Sequence, residues 1–177
     1  MRDVARTWGT TPDERARSYP CDRLLERVDD SYYRGVSVDA APATIFRWLC
    51  QLKVAPYSYD WIDNRGRQSP RTLTPGVEQL AVGDRVMTIF DLVAFEHDRH
   101  LTMRLRPGTI FPDLALSYVV APAPHGPVRL LMKFVVVYSQ TIGARLARWW
   151  LPWGDLVMAR RQLLNLRDLA EGRGAGA

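Results

Sequence analysis

Between residues 100 and 106 the chain alternates without a break, with Leu101, Met103 and Leu105 on one side and Thr102, Arg104 and Arg106 on the other. A period of two puts one set on a buried face and the other on a wet one, the signature of a strand in a one-sided antiparallel sheet. That requirement governs the second half of the chain. Residues 84–95 read as a long preceding strand, turned at Glu96-His97-Asp98-Arg99. Residues 114–120 and 129–140 read as the next pair, joined by the proline-rich turn from Ala121 to Pro127. In the last strand Met132, Phe134 and Val136 share a face and Lys133 takes the other. Short strand candidates at 72–74 and 77–80 are separated by Pro75-Gly76.

The flanking segments carry helical periods. Tyr32 to Val38 alternates and is rich in β formers, and Asp39-Ala40-Ala41-Pro42 then turns the chain into a helix over 43–52. There Ile45, Trp48, Leu49 and Leu52 make one apolar face. Pro56 interrupts it, and residues 57–63 read as a second short, aromatic helix. Near the C-terminus a helix over 141–150 is expected to break or kink at Pro152. A helix over 155–171, about 25 Å long, reaches across a sheet. Residues 1–30 are polar and mixed in charge, with a helix start at Thr11-Pro12-Asp13-Glu14. The organisation read from this is an N-terminal arm at 1–30, a domain at 31–171 and a flexible tail at 172–177. The fold class is α+β, with an antiparallel sheet and a long closing helix.

Composition excludes several classes. Of 177 residues 47% are hydrophobic and 24% charged, which argues against a disordered chain. No apolar run reaches the roughly 18 residues of a membrane span, and the first residues lack the apolar stretch of a secretory signal, so a cytoplasmic protein is expected. The net charge of +5 is spread along the chain and forms no stripe that would track phosphates, so no nucleic-acid partner is expected. Cys21 and Cys50 are too few for a disulfide framework and have no metal-ligand spacing. His97, His100 and His125 fall in or beside turns, with no spacing suited to a metal. Neither a metal nor a cofactor is expected.

Three stretches, in this order, resemble the START, polyketide-cyclase and pollen-allergen superfamily. Val36-Ser37-Val38-Asp39-Ala40-Ala41-Pro42, running on through residue 49, is similar to its opening strand and first helix. Val82-Gly83-Asp84-Arg85-Val86 through Phe95-Glu96-His97-Asp98-Arg99-His100-Leu101 is similar to its central hairpin. Gly154-Asp155-Leu156-Val157-Met158-Ala159-Arg160-Arg161-Gln162-Leu163-Leu164 is similar to the closing helix of its uncharacterised bacterial members. The resemblance implies a helix-grip fold, in which a curved antiparallel sheet wraps the long C-terminal helix and two short helices follow the first strand. It also implies an apolar cavity between sheet and helix for a lipid, polyketide or other small hydrophobic molecule. It does not imply one activity, since the superfamily includes carriers, cyclases and co-chaperones.

On that reading Phe90, Leu92, Met103, Leu105, Leu116, Tyr118, Phe134 and Val136 line the cavity, and Met158 and Gln162 close it. The same side chains could instead meet and fill a dry core. Tyr57, Tyr59, Asp60 and Trp61 would stand at the mouth. There Trp61 would touch ligand and Tyr57, Tyr59 or Asp60 could move protons, or the group could be a packed aromatic lid. Trp149, Trp150 and Trp153 beside Arg145 and Arg148 suit intramolecular packing first, and after it a membrane interface or a homodimer contact. Three functions stay open: hydrophobic-ligand binding, a cyclase/dehydratase-like enzyme, and a protein-binding module.

Overall fold

A computed structural model describes residues 4–59, 61, 66–109, 111–122, 126–139 and 142–173, with side chains in the last range from residue 148 onward. Six antiparallel strands form one curved sheet: β1 (Asp30–Val38), β2 (Arg85–Val86), β3 (Phe90–Glu96), β4 (His100–Leu105), β5 (Asp113–Ala121) and β6 (Val128–Val137). Their order across the sheet is β1-β6-β5-β4-β3-β2. All but β1 therefore follow one another as a meander, and β1 joins at the far edge beside β6. A bulge between Leu92 and Ala94 on β3 adds bend to the sheet. The helices are α1 (Val4–Thr7), α2 (Pro12–Ala16), α3 (Pro42–Cys50) and α4 (Ile142–Ala170). Proline at its first position starts α3, which buries Ile45, Phe46, Trp48 and Leu49.

Three local expectations are corrected. The long strand over 84–95 is two strands, because Met87 and Thr88 take left-handed backbone (φ 46° and 70°) and turn the chain between β2 and β3. The candidates at 72–74 and 77–80 are turn and irregular backbone, with Gly76 in the left-handed region. The helix does not break at Pro152: α4 runs through it. One intrahelical hydrogen bond is lost there, while Leu151 and Leu156 on either side are buried. The short helix expected over 57–63 falls largely on residues outside those described.

The inner face of the sheet carries the main core, closed by α3 and by Ala159, Leu163 and Leu166 of α4. The outer face is covered as well. Tyr19, Cys21 and Leu25 pack there on Ala115, Ala121, Leu131 and Val135, as a second apolar layer. The segment that supplies them first crosses the β1 edge, where the Gly35 N–H donates to the Trp8 carbonyl at 3.1 Å. Ion pairs fasten it: Arg6 to Asp30 at 2.7 Å, Glu14 to Arg129 at 2.6 Å and Asp22 to the buried Lys133 at 2.5 Å. Among the described residues no helix is long and apolar enough to cross a membrane.

Candidate functional site

Strand register aligns the expected wall residues into rows. Leu92 faces Met103, Met103 faces Leu116, Leu116 faces Phe134 and Phe134 faces Tyr32, which makes one line across five strands. The neighbouring row runs Phe95, Leu101, Tyr118, Met132 and Arg34. Phe90, Leu92, Met103, Leu105, Leu116, Tyr118, Phe134 and Val136 are all buried in one contiguous apolar cluster. Met158 is half-buried on α4, and Gln162 is buried.

Two polar contacts join the second row to α4. The Arg34 guanidinium donates to the Asp155 carboxylate at 2.6 Å, and the Tyr118 hydroxyl donates to Oε1 of Gln162. Asp155 and Gln162 are seven residues apart, about 10.5 Å along a helix. Arg34 and Tyr118 are separated by one strand, about 9.6 Å at two strand spacings. The match means that α4 crosses the strands at this point and is pinned at both ends of the crossing. Arg34 also donates to the carbonyls of Tyr33 (2.9 Å), Ala5 (2.8 Å) and Pro152 (3.3 Å). Its Nε is buried with no hydrogen-bond partner among the described residues. Gln162 Nε2 donates to the Pro56 carbonyl at 2.5 Å and lies 3.2 Å from the Met87 sulfur.

The chemistry of these groups follows from their burial. Burial lifts the Tyr118 hydroxyl far above the ordinary tyrosine range, so it stays protonated and acts as a donor. Burial also raises the Asp155 carboxyl, with Arg34 pulling it back, and the Arg34 guanidinium is lowered by the same burial. The Tyr32 and Tyr138 hydroxyls meet at 2.5 Å, and burial raises both. The interior thus holds protonated tyrosines bonded to Gln162 or to one another, and one ion pair whose Arg34 Nε is left without a partner among the described residues.

The expected mouth residues separate. Tyr57 is buried, with left-handed backbone (φ 57°), its ring edge-on to Trp48, and its hydroxyl donating to the Pro70 carbonyl at 2.8 Å. Its own carbonyl accepts from Asn165 of α4 at 2.8 Å. Tyr59 is half-buried, Trp61 is 76% exposed, and Asp60 lies outside the described residues. Pro56 and Tyr57 therefore form a two-point latch onto α4 through Gln162 and Asn165.

Arg34 and Asp155 were not among the residues expected from sequence to line this interior. The available signal was the alternation itself, since Arg34 sits between Tyr32 and Val36 on the core-facing side of β1. Elsewhere, burial pushes the Cys21 thiol up to about 11 and the Cys50 thiol up to about 12, which makes both poor nucleophiles. Among the described residues no group of three or more His, Cys, Asp or Glu could hold a metal ion. A groove of about 440 Å³ lies at the turn between β4 and β5, lined by Asp91, Val93, Arg104, Arg106, Phe111 and Asp113. Its charges are paired, Arg104 with Asp113 at 2.9 Å and Arg106 with Asp91 at 3.3 Å.

No protein-family model and no curated protein matches the chain. Solved structures do. One is the di-domain ARO/CYC StfQ from the steffimycin biosynthetic pathway, 13% identical, with 83% of this chain and 52% of that chain covered and a TM-score of 0.53. Another is protein CV1439 from Chromobacterium violaceum, 12% identical, with 80% and 96% covered and a TM-score of 0.50. At such identities the likeness is one of fold. That fold is the α+β helix-grip arrangement which the sequence resemblance implied.

Proposed function

We propose that the protein binds a small hydrophobic molecule, lipid or polyketide-like, between the sheet and α4. The observation that carries this reading is the Tyr118–Gln162 contact, a neutral donor and an amide set beside the apolar row of Leu92, Met103, Leu116 and Phe134. Ligand sites commonly combine apolar walls with a few aimed polar groups. The fold shared with the ARO/CYC StfQ agrees with it. Affinity comes mainly from apolar burial, roughly 25 cal/mol per Å² removed from water, and the Tyr118 hydroxyl, once it leaves Gln162, orients a ligand oxygen.

Access runs through the latch. Release of Gln162 from Pro56 and of Asn165 from Tyr57 frees the 56–57 segment from α4 beside Tyr118, which Gln162 also holds. The described interior supplies binding groups and no free base: Tyr118 is held protonated and Asp155 is held by Arg34. Binding is the function these groups support.

Native mass spectrometry on protein purified from its own host tests this. A stoichiometric adduct is expected, extractable as an apolar small molecule and lost in Phe134→Trp, which fills the row while leaving the melting curve cooperative. A bare mass for the parent chain, together with no saturable uptake of an added fatty acid, overturns it.

A further inference from the structure

We propose that the outward face of α4 docks on an anionic lipid surface. Three indoles stand in solvent on this helix: Trp149 is 77% exposed, Trp150 54% and Trp153 43%, with Val157 beside them at 52%. At 100° per residue Trp149, Trp153 and Val157 follow one stripe, and Trp150 lies along its flank. On the same count the buried residues Leu156, Ala159, Leu163 and Leu166 fall on the adjoining side of the helix, which begins next to Trp149. The exposed stripe is therefore a second apolar face, on a helix whose core-facing side is already occupied.

Charge selects the partner. Over residues 142–161 the sequence has four arginines, Arg145, Arg148, Arg160 and Arg161, and one acid, Asp155. That acid is turned inward onto Arg34 and contributes nothing to the outer face. Arg160 and Arg161 are exposed one turn beyond Val157, and Arg160 lies over the Trp8 ring at 5.5 Å. Arg148 is exposed at the other end of the stripe, 4.8 Å over the Tyr138 ring, with Asp29 at 3.7 Å as its acidic neighbour. Indoles between arginines match the headgroup level of a bilayer, where the ring sits at the apolar boundary and the guanidinium meets lipid phosphate. From Trp149 to Arg161 the stripe is about 18 Å long, enough for the helix to lie flat on such a surface. A second copy of the chain would bring the same arginines against themselves, and the charge pattern disfavours that. The inference stands on the exposed face alone and does not depend on the ligand proposed above.

Co-sedimentation with vesicles tests it, comparing phosphatidylcholine alone with a mixture in which about a third is phosphatidylglycerol. The full chain is expected to pellet with the anionic vesicles at least about tenfold more strongly than with the neutral ones, and to lose that preference in high salt. Tryptophan emission is expected to shift to the blue on binding. The double variant W149S/W153S alters exposed side chains, so its thermal melt is expected to match the parent while its vesicle binding falls about tenfold. Equal pelleting of variant and parent, or none with the anionic vesicles, overturns the proposal. So does a dimer in sedimentation velocity that the same variant dissolves, which would assign the face to a second copy.

Discussion

Arg34 of β1 and Asp155 of α4 form an ion pair at 2.6 Å although the Arg34 side chain is wholly buried. Burial moves each toward its uncharged form, Asp155 upward and Arg34 downward, so lost hydration outweighs their attraction. The pair nonetheless joins the edge strand to the gripped helix and gathers the Ala5 and Pro152 carbonyls around one guanidinium.

From this the single and double replacements should behave oppositely. Arg34→Met strands a buried carboxylate and is expected to cost about 3–5 kcal/mol. The pair R34M/D155L removes both charges and should return to within about 1 kcal/mol of the parent, or exceed it. Urea unfolding of the three proteins decides the matter. A double variant as unstable as the single would mean that the pair is a net source of stability.

Tyr118→Phe leaves Gln162 Oε1 without the hydroxyl it accepts from. An unsatisfied buried acceptor costs about 1–3 kcal/mol, and the ligand loses its orienting donor in the same step. The expected outcome is a lower unfolding midpoint together with weaker ligand retention in native mass spectra. Unchanged retention would shift the orienting role to another group, with Tyr138 next in line.

Gly9 takes left-handed backbone (φ 72°), and a Cβ there would lie 2.1 Å from the Gly35 carbonyl oxygen. Gly9→Ala is expected to lift the N-terminal segment off the β1 edge, at a cost of about 1–3 kcal/mol. Hydrogen exchange provides the readout. The Gly35 amide, bonded to Trp8 in the parent, should lose protection, while amides between β4 and β5 keep theirs. Uniform loss everywhere would show that this segment and the sheet form one cooperative unit.

Acid should weaken the fold in two steps. Burial holds the His100 imidazole below its ordinary value, so the unfolded chain takes up that proton first and stability falls as pH drops through the ordinary histidine range. Asp84 is held low by the Lys53 ammonium and the Ala81 N–H. Burial works to raise Glu14, but Arg129 and Thr11 more than offset it and bring the carboxyl down. The stability from these two is present above the ordinary carboxylate range and is lost as pH falls through their folded values. Asp155, held high, runs the other way. Urea midpoints at about pH 8, 5.5 and 3 measure both steps, and His100→Gln should flatten the first.

The sheet was legible because alternation is a local signal. Met103, Leu105, Phe134 and Val136 could be assigned to the inner face from their own neighbours in sequence, and the structure buries all four. The closing helix was legible for the same reason. What escaped depends on distant partners. Alternation places Arg34 on the core-facing side of β1, but nothing near it in sequence names its partner, Asp155, from the other end of the chain. The turn at Met87 and Thr88 carries none of the glycine or asparagine that usually marks left-handed backbone. The outer layer of Tyr19, Cys21 and Leu25 has no regular period, because only one 3-10 turn, Pro20–Arg23, carries Cys21, and Tyr19 and Leu25 lie outside it.

The position of β1 beside β6 orders events during synthesis. The meander from β2 to β6 can form from consecutive hairpins as it emerges, each strand beside the one just made. β1 is made before all of them, yet Val38 pairs with Val128 and Asp30 with Val136. The first strand, and the segment anchored to its edge, therefore wait for the last strand before they have a place to bind. Until then their apolar residues depend on chaperones or on local collapse, and such long-range pairing is characteristically slow.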